Sequence, residues 1–117
     1  MATLYRKGGE AVGYAEVVTE VFPKNGKTFT LEELQGFVEG NGSKTIQYLP
    51  LPDGRVMFAN DNGRIVGLPQ NFAASTFWRE QYPIEKYPHN NEGIIVGTVV
   101  VCSRKEAGDE DDNGDES

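Results

Sequence analysis

Apolar positions recur along this chain with two different periods, and the period predicts the element. Thr3, Leu4 and Tyr5 form a brief extended run before Gly8-Gly9. Tyr14 to Phe22 is dense in β-branched and aromatic side chains, which suit a pleated strand, and Pro23 ends it. Lys24-Asn25-Gly26-Lys27 then reads as a turn built on an Asn-Gly pair. From Leu31 the spacing changes: Leu31, Leu34 and Val38 follow a helical period, with Phe37 beside them. Thr30 and Glu33 form a capping box at the start of this helix, because the Thr hydroxyl serves one orphan N–H while the Glu carboxylate reaches back to another. Glu32 and Glu33 also lie at the positive end of the helix dipole. Gly40 is expected to stop the helix in a left-handed conformation.

A three-strand meander is predicted next. Thr45 to Leu51 and Val56 to Ala59 are extended runs joined by Leu51-Pro52-Asp53-Gly54-Arg55, where Pro fixes φ, Asp bonds the backbone and Gly accepts positive φ. Asn60-Asp61-Asn62-Gly63 is the second turn and Arg64 to Leu68 the third strand. Asn71 is a good N-cap for a second helix running through Phe72, Ala74, Phe77 and Trp78 to about Tyr82, where Pro83 stops it. After a polar loop, Gly93 to Cys102 is almost continuously Ile and Val, which suits a central strand buried on both faces. The expected fold is therefore α+β: an antiparallel or mixed sheet of five to six strands, the last strand inside it, with two helices packed on one face.

Charge divides the 117 residues into two parts. Seven of the 18 acidic residues lie between Glu106 and Ser117, where there is no base, which leaves eleven acids against 11 bases in residues 1–105. The net charge of −7 thus belongs to the C-terminal end. The expected organisation is one globular domain, 1–105, and a disordered acidic tail, 106–117. A neutral body with scattered bases gains little from phosphate neutralisation, so no nucleic-acid partner is expected. A single cysteine, Cys102, cannot form an internal disulfide, and no apolar run approaches membrane-spanning length, so a cytoplasmic, non-membrane setting is expected.

Catalytic chemistry is hard to assemble from these residues. Cys102 ends an apolar strand, no serine stands in a strand–Gly-x-Ser-x-Gly–helix context, and the one histidine, His89, lies in a polar loop. One His and one Cys far apart do not make a metal site, and Asn60–Gly63 lacks the spaced acids of a calcium loop. The expectation is no catalytic residue, no metal and no cofactor. Two candidate surfaces remain. Trp78, Arg79, Tyr82 and Tyr87 concentrate aromatic and guanidinium groups as binding hot spots do. A helix cap and a turn account for Asn71 and Gly63, and the functional alternative is that Asn60, Asn71 and the loop near Gly97 converge on a small-ligand site.

Thr30-Leu31-Glu32-Glu33-Leu34-Gln35, Leu51-Pro52-Asp53-Gly54-Arg55-Val56, Asn60 to Gly63, Gly67-Leu68-Pro69-Gln70-Asn71 and Ile95-Val96-Gly97 follow one another in order. Over roughly Thr28 to Val101 this pattern resembles a family of small domains of unknown function encoded by phages and bacteria. Where such domains tend to carry Gly-Gly-Tyr-Ile-Glu after the first helix, this chain has Glu39 to Gln47, and Asp61 stands where a turn Glu is frequent. The resemblance implies a fold and a phage or bacterial setting, and no activity. The leading expectation is a non-enzymatic interaction module that binds a host protein, inhibition of a host defence complex being one version of it. The rivals are a nucleotide-type ligand binder and an unusual hydrolase, for which no pair of convergent titratable groups is visible.

Overall fold

The structure, a computed structural model, describes residues 2–6, 17–83, 85–86 and 94–108. Along the chain run β1 (Ala2–Arg6), β2 (Val17–Val21), α1 (Leu31–Val38), β3 (Ile46–Pro50), β4 (Arg55–Asn60), α2 (Phe72–Gln81) and β5 (Val99–Ser103). The strands form one antiparallel sheet of five, in the order β2-β1-β5-β4-β3. The α+β class and the antiparallel sheet are those expected, and β5 is the central strand. Among the described residues no helix is long and apolar enough to cross a membrane.

The centre of the sheet decides where the helices go. Side chains alternate between faces along a strand, so apolar runs such as Val56-Met57-Phe58-Ala59 and Val99 to Cys102 present apolar groups on both sides. Leu4, Val56, Phe58, Val100 and Cys102 cluster with Leu34 of α1, Phe29 and the half-buried Phe37. Met57, Ala59, Val99, Val101 and Leu51 cluster with Ala74 of α2 and the half-buried Phe77, Trp78 and Tyr82. The two helices therefore lie on opposite faces, not on one: a single layer cannot cover a sheet that is apolar on both sides.

Local sequence signals account for most element ends. The Thr30 hydroxyl accepts from Glu33 N at 3.1 Å and the Glu33 carboxylate accepts from Thr30 N at 2.7 Å, completing the capping box of α1. In the β3–β4 hairpin Asp53 accepts from Arg55 N at 3.0 Å and Gly54 takes φ +94°, as its sequence predicts. Gly40 is not the left-handed residue after α1. Asn41 and Gly42, at φ +49° and +83°, form a two-residue turn clasped by reciprocal Gly40–Ser43 backbone bonds of 2.9 Å.

Three expectations change. Arg64 to Leu68 is a succession of tight turns, with Gly63 N bonded to Asn60 O, Val66 N to Asn62 O and Leu68 N to Gly63 O. A third meander strand has no place beside β4, because β3 and β5 already flank it. The last strand begins at Val99 rather than Gly93, since residues 95–97 turn aside to pair with 69–71 through Asn71 N–Ile95 O (2.7 Å) and Gly97 N–Pro69 O (2.9 Å). At the C-terminus, Glu106 does not begin a free tail: it is buried, and the segment from 109 onward, with the disorder expected of it, lies outside the described residues.

Candidate functional site

The polar residues singled out from sequence are buried, and their hydrogen bonds go to the chain. Asn60, at the end of β4, donates from Nδ2 to Val38 O (3.0 Å) and Ser43 O (2.8 Å). Its Oδ1 accepts from Ser43 Oγ (3.2 Å) and Asn62 N (2.8 Å). A carboxamide has two donors and two acceptor positions, so all four are used. The side chain joins the end of α1, the Asn41-Gly42 turn and the curled 61–68 segment.

Asn71 does the corresponding work on the other face. Its Oδ1 caps α2 by accepting from Ala74 N at 3.0 Å. Its Nδ2 donates to Tyr5 O (2.8 Å) on β1 and to Gly97 O (2.9 Å). The structure thus brings Asn71 and Gly97 together. Asn60 belongs to a second network. Leu68 lies between the two: a Cβ added at Gly40 would stand 2.7 Å from its Cδ2, and one at Gly97 2.8 Å from its Cδ1. Gly63 would meet Val96 Cγ2 at 2.7 Å. The glycines of these segments leave the room that Leu68 and Val96 fill, so the motif residues meet in an architectural joint.

Nucleophilic and metal chemistry find no support among the described residues. Burial, with the Glu106 carboxylate adding to it, pushes the Cys102 thiol up to about 12, which keeps it protonated and inert. No group of three His, Cys, Asp or Glu residues able to hold a metal occurs there. His89 and Tyr87 lie outside the described residues.

The aromatic candidates divide. Trp78 and Tyr82 stack at 4.6 Å between centroids and pack on the α2-side core, and the Tyr82 hydroxyl donates to Pro50 O at 2.6 Å. Phe77 lies 5.5 Å from the Tyr5 ring and 5.3 Å beneath the Arg55 guanidinium, which also grips Asp53 through Nε (3.0 Å) and Nη2 (2.6 Å). The hydrogen bond from Arg55 holds the Asp53 carboxyl below its ordinary value. Burial raises the Tyr5 hydroxyl, with the Arg55 charge opposing. Arg79 is on the exposed stripe of α2, which begins with Phe72.

That stripe leads to side chains which the sequence did not single out. Phe72 is 60% exposed, Ile65 85% and Ile94 41%. Arg64 Nη2 donates to Ile94 O at 2.9 Å, and Asn71 N to Ile95 O, so the segments carrying all three run side by side at one end of the sheet. Ile65 was hidden by the prediction of a strand over 64–68, and Phe72 was read only as a member of the second helix.

Glu106 was missed for a different reason, its place in an acidic run. Its Oε1 accepts from Ser103 N and Ser103 Oγ, both at 3.1 Å, while Glu106 N donates to Ser103 Oγ at 3.0 Å. This is a second capping box, and the Ser103-x-x-Glu106 spacing is its signal in the sequence. The turn it opens sets Glu106 O against Phe29 N at 2.8 Å and packs Ala107 on the α1-side core.

No curated protein and no solved structure matches this chain. Residues 10–116 match the model of a family described as a domain of unknown function, DUF3846, and the chain belongs to that family.

Proposed function

We propose that this domain is a non-enzymatic protein-binding module, and that its contact surface is the end of the sheet where Ile65, Phe72 and Ile94 stand beside Arg64 and the α2 stripe carrying Arg79. The single observation that carries the reading is the exposure of three large apolar side chains on adjoining segments, Ile65 most of all. Large apolar groups grouped on a soluble surface mark contact sites, and arginine is enriched with them. Trp78 and Tyr82 contribute as a rigid backing, because the core holds one side of each ring. In this reading the partner is a host protein met by a phage- or mobile-element-encoded chain in the reducing cell interior, and inhibition of a host defence assembly is one outcome of such binding.

A nucleotide-type ligand has less to recommend it. Asn60 and Asn71, the polar groups that would orient such a ligand, spend their carboxamides on the chain itself.

A photo-crosslinking side chain placed at position 65 or 72, and at Glu32 on α1 as a control, tests the proposal in bacterial extract. A discrete protein captured from 65 and 72 and not from 32, and lost in competition with unlabelled wild type but not with Ile65→Asp, supports it. Equal competition by Ile65→Asp and Phe72→Asp overturns this surface.

A further inference from the structure

The two edges of the sheet are finished differently. At β3, Pro50 has no N–H to offer, and its carbonyl already accepts the Tyr82 hydroxyl at 2.6 Å. That end of the strand is closed to an incoming chain. At the other edge, β2 pairs with β1 alone among the described residues. Its sequence, Val-Val-Thr-Glu-Val, has no proline, no lysine and a single charge. Val18 is 53% exposed and Phe22, just beyond the strand, 59%. Val18 and Glu20 stand opposite Tyr5 and Thr3, on the α2 face of the sheet, where Phe77 packs against Tyr5 of the neighbouring strand. Among the described residues this edge has unpaired backbone groups, β-branched residues and one charge, and such an edge is a template for another strand.

We propose that β2 is a homodimer interface, pairing antiparallel with β2 of a second copy about a two-fold axis through Thr19. The occupant follows from register and charge. A two-fold axis normal to the sheet keeps each face on its own side, so opposite residues must share a face and their numbers must sum to an even value. A sum of 40 sets Glu20 against Glu20 of the second copy and opposes like charges. A sum of 38 places Glu20 opposite Val18 and Thr19 opposite Thr19. This register alone pairs all five residues of Val17–Val21 with those of the second copy, it opposes no like charges, and the two sheets join into one of ten strands. This surface is distinct from the Ile65–Phe72–Ile94 end, so either can fail without the other.

The test uses the full chain and reads register as well as mass. Sedimentation equilibrium is expected to give a reversible dimer. Val18→Glu sets carboxylates opposite Glu20 twice across the axis and is expected to raise the dissociation constant about tenfold. Adding Glu20→Lys to Val18→Glu makes both pairs attractive and is expected to restore the dimer, whereas Gln47→Glu on β3 leaves the mass unchanged. Opposed Cα atoms in an antiparallel pair are about 4.5–5.5 Å apart, within disulfide range, so Thr19→Cys is expected to crosslink under mild oxidation while Gln47→Cys does not. Buried Cys102 does not compete. A wild-type chain that remains monomeric over the whole concentration range overturns the proposal and leaves the edge to a strand of another protein. A dimer indifferent to Val18→Glu, or not restored by the double variant, overturns the register and with it the argument.

Discussion

The two faces of the sheet anchor their helices in different ways. On one face, α1 starts with a cap made of its own neighbours: Thr30 and Glu33 satisfy each other's backbone groups within four residues. On the other, α2 starts at Asn71, whose side chain caps the helix and also binds Tyr5 O on β1 and Gly97 O before β5. The first cap draws only on residues within one turn of the helix start. The second exists only when strand, loop and helix are already in place. A cap that doubles as a tertiary joint should cost far more to remove than one that serves its helix alone, because its loss also removes the hydrogen bonds to Tyr5 O and Gly97 O.

The largest effect is therefore expected from Asn71→Ala. Losing the cap and the two hydrogen bonds to Tyr5 O and Gly97 O should destabilise the domain by about 3 kcal/mol, lowering the melting temperature on the order of 10 °C. Asn60→Ala, which takes the donor from Val38 O and the acceptor from Asn62 N on the α1 face, should come close behind at about 2 kcal/mol in chemical denaturation. If Asn60→Ala cost as little as a surface substitution, the claim that both faces depend on a buried carboxamide would fail.

Next is Glu106→Ala, which dissolves the Ser103–Glu106 box and loosens the turn against Phe29. A loss of about 1–2 kcal/mol is expected, and hydrogen exchange should show Phe29 N, the donor to Glu106 O, unprotected before the β5 amides. Thr30→Ala removes the local cap and should cost about 1 kcal/mol, roughly a third of the Asn71 effect. Equal losses at the two caps would erase the distinction drawn above.

Acid titration sharpens the same point at smaller scale. The backbone N–H groups of Thr30 and Lys24 hold the Glu33 carboxyl below its ordinary value. A depressed folded pKa means that the contribution is complete above the unfolded carboxylate range and is lost as pH falls through the folded value. Glu33→Gln should flatten that part of the stability–pH curve and leave the curve above pH 6 parallel to wild type. Smallest of all, Ile65→Asp should change stability by less than about 0.5 kcal/mol, since an 85% exposed side chain away from core and caps has little to lose. A large loss there would show Ile65 to be held in the fold rather than free for a partner.

Much of the local structure could be read before any coordinates. The Thr30–Glu33 box, the Asn71 cap and the Pro-Asp-Gly hairpin act within a few residues, and they stand where expected. The candidate site was less legible. Asn60 and Asn71 were noticed, but as possible ligand groups, because nothing local tells that their partners are Val38, Ser43, Tyr5 and Gly97, up to 66 residues away. Ser103-x-x-Glu106 was a readable signal obscured by the acids that follow it.

Residue order along the chain was enough to specify where both helices start and where the Pro-Asp-Gly hairpin turns, since capping and glycine freedom are short-range effects. Three matters waited for the assembled sheet: which face each helix covers, whether 64–68 finds a neighbour to pair with, and which apolar side chains remain outside. All three depend on β5 inserting between β1 and β4, which occupies the place a third meander strand would need and creates a second apolar face to be covered. A long-range pairing of that kind leaves no periodic mark on the segments it displaces, so tertiary packing alone decided them.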